Sequence, residues 1–201
     1  MTSSVLTSAV SSMVSANDID YAALFRRGFE ASTTSINIGG LQPDALIAEI
    51  EKVGSLSGLA RSMMLKKDSF RPLGRPEKVT LIWFQINQGM GDHSRIGDLL
   101  NLELLDAWSK ERLDGYVIRP CRAEVAPHLV IQGEVHRKCL WVVHGPIETM
   151  LNERVFGVRR SCLTGKPRLC DGATVGENSS NWLKEFPWSP RCYVVYELVK
   201  L

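Results

Sequence analysis

The stretch "KVTLIWFQINQGMGDHSRIGDLL", residues 78–100, decides the fold of this chain. Val79, Leu81 and Trp83 alternate with Ile82, Phe84 and Ile86, so both sides of the segment are apolar. A strand of that kind belongs inside a sheet covered on both faces. A polar, Gly-containing turn, "NQGMGDHSR", follows. Beyond it, Ile96, Leu99, Leu100, Leu104, Ala107 and Trp108 recur at helical spacing, with Asp98, Glu103, Asp106 and Glu111 on the other side. The spacing predicts one long amphipathic helix from Ser94 to about Arg112, packed on the sheet. In this unit Trp83 and Trp108 are core residues.

The turn itself is read as a corner. A strand, a Gly-containing loop and a helix N-terminus bind phosphate through free backbone N–H groups. The known fingerprints need more glycines or a Gly-Lys-Ser/Thr ending, and this turn has neither. Asp92 repels an anion, and Asp92 or Ser94 serves more simply as a helix cap.

Toward the N-terminus the periodicity is helical. Residues 1–16, "MTSSVLTSAVSSMVSA", carry no charge and read as a flexible polar arm rather than a signal peptide, which starts basic and is more densely apolar. Asn17 or Asp18 caps an expected helix with Tyr21, Leu24, Phe25 and Phe29 on one face, and "TTSINIGG" breaks it. Pro43 opens a second helix through Leu46, Ile47, Ile50 and Val53 to Gly54. Leu56, Leu59, Ala60, Met63 and Met64 form a third stripe. The expected helical part is thus 17–67.

Toward the C-terminus the runs are short and β-rich. "GYVIRPCRAEV", "HLVIQGEV" and "KCLWVVHG" read as strands between Pro and Gly, and "RCYVVYELVKL" as a strong last strand. Pro146 to Val158 is expected to hold one short helix, and "RRSCLTGKPRLCDGATVGENSSN" to be a long loop. The sheet part is 78–201, and 17–201 is a single domain. The order predicts an α+β fold: N-terminal helices, then a mainly antiparallel sheet with one long amphipathic helix packed on it.

Composition narrows the function. The chain has 201 residues, 44% of them hydrophobic, and a net charge of only +2, so binding to an anionic partner must come from a local patch. No apolar run approaches the roughly 20 residues that span a bilayer. Five dispersed cysteines without a CxxC pair read as reduced thiols, which points to a cytoplasmic location, not a secreted one. The sequon Asn178-Ser179-Ser180 is then a chance match.

Three kinds of site compete. His128, His136, Cys139, His144, Cys162 and Cys170 are metal-ligand types, but His136 and Cys139 point to opposite sides of an extended strand and no second close pair completes a tetrahedral set, so no metal and no cofactor are expected. Cys139 with His144, or Cys121 with His128, has the makings of a nucleophile and base. No third orienting group is visible, and the chain is expected not to be an enzyme. The third kind is basic. Residues 61–78 carry Arg61, Lys66, Lys67, Arg71, Arg75 and Lys78 against two acids, a local charge of +4 in a segment broken by Pro and Gly. Arg154, Arg159, Arg160, Lys166 and Arg168 form a second such set. Two basic loops on a balanced domain suit phosphate backbones or acidic lipid headgroups.

The order of parts resembles one family. A polar N-terminal arm, then a strand, a turn, an amphipathic helix ("HSRIGDLLNLELLDAW") and later β-rich runs ("LVIQGEVHRKCLW") are similar to the layout of rhabdovirus matrix proteins over about residues 78–145. The resemblance implies a non-enzymatic viral structural protein of the virion and host cytoplasm. Such a protein self-associates as a homo-oligomer and contacts nucleoprotein or RNA, an anionic membrane surface, or both. Many members have a Lys-rich N-terminus and a Pro-Pro-x-Tyr-like motif; here the arm has neither, which leaves electrostatic contact to the basic loops. A soluble RNA-binding protein that suppresses host responses, and a small enzyme with a Cys/His centre, are the alternatives.

Overall fold

A computed structural model describes residues 30–89, 96–134, 139–148, 153–161, 163–171 and 193–201. The expected helix over Tyr21–Phe29, the caps Asp92 and Ser94, and the side chains of His136 and Cys162 lie outside them.

The central strand is where the alternation put it. β3 (Glu77–Gln85) is buried on both sides, with Leu81, Trp83 and Val79 turned to one face of the sheet and Ile82 and Phe84 to the other. Its neighbours are β1 (Ser32–Ile38) and β10 (Tyr193–Lys200), both antiparallel to it. β10 then pairs with β4 (Tyr116–Arg119) and, in parallel, with β5 (Leu140–Val142). The sheet continues through β8 (Phe156–Arg160) and β9 (Pro167–Asp171) to β2 (Ser55–Leu56), which runs parallel to β9. β6 (Ile147–Glu148) and β7 (Glu153–Arg154) make a separate small hairpin. The fold is α+β, but its curled sheet is mixed and its helices are short.

Helices cover both faces. α1 (Pro43–Val53), α2 (Gly58–Met64) and α6 (Val125–Ile131) bury Leu46, Ile50, Met63, Met64, Leu129 and Val130 against the Trp83 face. α3 (Ile86–Gly89) is a single turn continuing β3, and α4 (Ile96–Leu99) is another. α5 (Leu102–Arg112) covers the opposite face, where Phe84 stacks between Trp108 at 4.9 Å and Tyr196 at 5.8 Å. The Tyr196 hydroxyl donates to the Leu99 carbonyl at 3.0 Å, so this buried phenol has its partner.

Five expectations are corrected. "TTSINIGG" is the edge strand β1: Ile36 and Ile38 point in while Ser35 and Asn37 point out, a period of two that its Ser and Thr content concealed. The long helix after β3 is two pieces. Asn101 accepts from the Glu103 and Leu104 N–H groups at 3.0 and 3.3 Å, a side-chain cap that starts a new helix with its own phase. Leu105, Trp108 and Ser109 are therefore buried where Leu104 and Ala107 were expected. Buried Ser109 donates to Leu105 O at 2.6 Å and accepts from Ile118 N at 3.0 Å, which joins α5 to β4.

"HLVIQGEV" is no strand; its first part ends α6, which is buried from Val125 through Val130. A short apolar run buried on all sides has no helical or strand period to read. Pro127 sits in the first turn of α6, where its missing N–H has no intrahelical acceptor to lose. Lastly, Pro146–Val158 forms the β6–β7 hairpin and the start of β8, and the expected long loop contains β9. Val158 and Leu169 alternate with Arg159, Arg168 and Cys170, so one side of this hairpin is apolar and the other polar.

Candidate polyanion-contact surface

The first basic segment is anchored by buried groups at three points. Phe70 is buried edge-on against Phe156, with ring centroids 5.9 Å apart. Leu73 N donates to the buried carboxylate of Glu124 at 3.0 Å, and Gly40 N donates to Leu73 O at 2.8 Å. Beside them Gly39 N donates to Nε2 of His128 at 3.0 Å. Gly39 has φ +82°, and a Cβ there would lie 2.3 Å from the Arg75 carbonyl oxygen, so only glycine allows the two loops to approach this closely. With Phe70 held inward, Lys66, Lys67, Arg71 and Arg75 remain exposed, and Lys78 is exposed at the start of β3. None of these five forms an ion pair among the described residues. Arg61 is different: it pairs with Glu51 across α2 and α1.

Lys67 and Arg71 border a cleft of about 530 Å³ between this turn and the start of α1. Asp44 also lines it and Leu65 and Phe70 contribute apolar lining, so the cleft carries both signs of charge.

The second set splits. Arg154 lies on β7, not in a solvated loop; it is buried and its guanidinium meets the Asp171 carboxylate. Arg159, Arg160 and Lys166 are exposed at the far end of the β8–β9 hairpin, and Arg168 is half-buried. The hairpin tip is well braced: Ser161 N donates to Lys166 O at 2.8 Å, Gly165 N to Ser161 O at 2.9 Å, and Arg160 Nη1 to Gly165 O at 3.1 Å. Gly165 supplies the positive φ of the turn. Leu163 stands on this tip 97% exposed, with cations on both sides. Arg159 lies directly across from Arg168 on the same sheet face. Like charges so placed repel, and an anion lying across them relieves the repulsion.

Phe70, which anchors the first basic segment, contacts the Phe156–Asp171 end of the hairpin, while the tip cations begin at the Arg159–Arg168 row. Three strand steps separate these rows, about 10 Å at roughly 3.3 Å each.

In both candidate Cys/His pairs the imidazole is buried and hydrogen-bonded to backbone. His144 is fully buried, with Nδ1 bonded to the Gly145 carbonyl at 2.6 Å and Nε2 accepting from Phe156 N at 2.9 Å. Both ring nitrogens are thus occupied, and burial lowers the imidazole to about 4. Nε2 of His128 is taken by Gly39, and burial lowers that ring too. Cys121 is a core thiol that donates to Val195 O at 3.5 Å and is pushed well up by burial. Among the described residues no three His, Cys, Asp or Glu side chains converge on a metal position.

Sequence reasoning located the cations but missed Leu163 and the Glu124–His128 anchor. Leu163 was detectable as a lone apolar residue before Thr164-Gly165, between two β-capable runs. Glu124 and His128 lie four apart in an apolar run, and their partners on residues 39 and 73 are too distant in sequence for any local pattern to reveal. Comparison with protein-family models, with curated proteins and with solved structures found no match to this chain.

Proposed function

We propose that this chain is a non-catalytic, matrix-like assembly protein that docks on an anionic membrane surface through the tip of the β8–β9 hairpin. One observation carries the reading: Leu163 projects into solvent between Arg159 and Arg160 on one strand and Lys166 on the other. Cations meet lipid phosphates and an apolar tip enters the acyl boundary, the combination that interfacial binding requires. The other basic segment, Lys66, Lys67, Arg71 and Arg75, lies apart from the tip and is free to face a ribonucleoprotein. A protein that bridges a membrane and a nucleoprotein needs two such surfaces, and self-association would multiply both. The RNA-only alternative gives Leu163 no task. In the enzyme alternative, His144 and His128 would have to surrender backbone hydrogen bonds to act as bases.

Co-sedimentation with phosphatidylserine-containing and neutral vesicles tests this. The full chain should pellet with the anionic vesicles only. Replacing Arg159, Arg160 and Lys166 by Gln should weaken binding by about 1 kcal/mol per charge. Leu163→Ser should weaken it further, and this component should persist at high salt because it is apolar. Full vesicle binding by both variants would sink the reading. RNA binding that survives the tip changes but fails when Lys66, Lys67, Arg71 and Arg75 become Gln would assign the chain to RNA alone.

A further inference from the structure

The main sheet ends in two unequal edges. β2, at one end of the strand order, is two residues long, whereas β1, at the other, has seven. Gln132, just past α6, fixes which backbone groups of β1 point outward. Its side chain accepts from Asn37 N at 3.1 Å and donates to Asn37 O at 2.6 Å, as an opposing strand would. Since Asn37 faces out, the alternation of an antiparallel ladder turns the N–H and C=O of Thr33 and Ser35 out as well. These groups have no partner among the described residues. Sheet edges are ordinarily kept from pairing by Lys, Pro, a bulge or shortness. β2 is short. β1, "STTSINI", has no charge and no proline, and it pairs with β3 residue for residue without a bulge.

We propose that β1 is a self-association edge, which pairs antiparallel with β1 of a second copy about a two-fold axis centred on Thr33. Outward N–H and C=O groups at every second residue are matched by another strand, and an antiparallel edge is complementary to itself. A two-fold contact uses the edge of each copy once, so assembly closes at two.

Gln132 sets the register. It occupies Asn37, so the second strand lies along the N-terminal half of β1. Thr33 of one copy then faces Thr33 of the other, and Ser35 faces Ala31. Each facing pair exchanges both of its N–H···O=C bonds. Thr opposite Thr is also a favourable cross-strand pair. Charge selects the same direction. Exposed Glu30 precedes the strand, and exposed Lys78 stands beside Asn37 at its other end. Antiparallel pairing brings the acidic end of each copy to the basic end of the other, whereas a parallel one would set like charges together. Glu77, next to Lys78, is already paired with Arg122. Glu134 accepts from Thr34 Oγ1 at 3.4 Å on the Trp83 face, out of the plane of the new ladder. The joined sheet runs through both copies, and the β8–β9 hairpin lies beyond β10 and β5 from the joint in each. The inference does not depend on the proposed membrane contact.

The test is sedimentation equilibrium of the full chain over a range of concentrations, without lipid or RNA. The mean mass should rise toward twice that of one chain. Amide exchange in a peptide covering residues 31–38 should slow over the same range. Thr33→Pro removes an outward N–H and no bond to β3, so it should hold the protein monomeric with its circular dichroism unchanged. Thr33→Lys and Thr33→Glu should each be monomeric alone, because like charges then face each other across the axis. Mixed in equal amounts they should form a dimer, which also shows that both variants are folded. A wild type that stays monomeric throughout, a dimer that Thr33→Pro leaves intact, or Lys and Glu variants that remain monomeric when mixed would each overturn the proposal.

Discussion

Across β3 and the first half of β10 the sheet is apolar above and below, whereas across β5, β8 and β9 it is apolar on one face and polar on the other. At the first end, Trp83 lies beneath the strands with Val79 and Leu81, and Phe84, Trp108 and Tyr196 stack above them. At the second end, Phe156, Val158 and Leu169 face the same lower core, but the upper row is Cys139, Trp141, Arg159, Arg168 and Cys170. The first end is built for stability. The second exchanges core for chemistry, since each polar side chain on its upper face forgoes burial that an aliphatic one would gain.

The largest expected effect is at the first end. Trp83→Ala and Trp108→Ala should each lower unfolding free energy by about 3–5 kcal/mol, as large aromatic truncations in a core do. Both indoles are 7% exposed, but they belong to different cores on opposite faces. The two losses should therefore be close to additive in the double variant, measured by urea denaturation. Near wild-type midpoints in both single variants would erase the contrast between the two ends.

The next effect belongs to the second end and appears with pH. His144 sits after β5, and burial holds it at about 4 against an ordinary value of 6.5. A folded value below the unfolded one means that the fold favours the neutral ring. The stability from this preference is fully present above 6.5 and is lost as pH falls to about 4, amounting to about 3 kcal/mol. His128, also lowered by burial, adds a loss of the same sign. Burial raises Glu124 and Glu197, and these work the other way, regaining stability as pH falls through their raised values toward 4.5. The net decline should thus begin as pH falls below 6.5 and be offset in part where the two raised carboxyls take up protons. Urea midpoints at pH 7 and pH 5 should differ less in His144→Gln than in the wild type. Parallel pH dependence in the two proteins would show that the His144 ring is not the source.

This same division decides how much was legible from residues alone. β3 and β10 were readable because double-sided apolar alternation leaves little other choice. The core position of Trp83 followed from it, and that of Trp108 from the helical stripe after it. β8 and β9 were read as helix and loop because their outward side chains are Arg, Cys and Gly, and because Pro167 begins β9, a place where proline costs no ladder bond. α6 was misread because an apolar run shorter than about ten residues does not reveal its period. The basic residues were legible as composition. That Arg154 turns inward to Asp171 while Arg159 turns outward depends on strand register, which no charge count contains.

A smaller effect tests the crossing point of the two ends. The Trp141 ring occupies the space above Gly157, and a Cβ there would meet ring carbons at 2.3 and 2.6 Å. Gly157→Ala should therefore cost about 1–3 kcal/mol by overpacking. Adding Trp141→Leu should recover part of that loss, because the smaller side chain vacates the contested volume. Independent, additive effects would mean that the glycine answers to something other than the indole.

The smallest effect is also the one whose sign separates the ends most sharply. Arg159 and Arg168 face each other across the β8–β9 ladder with the same charge. Cross-strand repulsion of this kind is worth a few tenths of a kcal/mol up to about 1 kcal/mol. Arg159→Gln should thus leave stability unchanged or raise it slightly. Arg61→Gln should do the reverse, because Arg61 pairs with Glu51 on the α1–α2 surface. That pair is about half exposed on both sides, so its loss should cost only about 0.2–1 kcal/mol. Both differences are electrostatic and at the surface, and both should shrink as salt is raised past physiological strength. Measured side by side, an increase for one arginine and a decrease for the other at low salt would show that the hairpin holds its cations at a standing cost, one that binding an anion can remove. Equal losses for both would show that Arg159 is an ordinary supporting residue, and the β5–β8–β9 face would then be no different in kind from the rest of the surface.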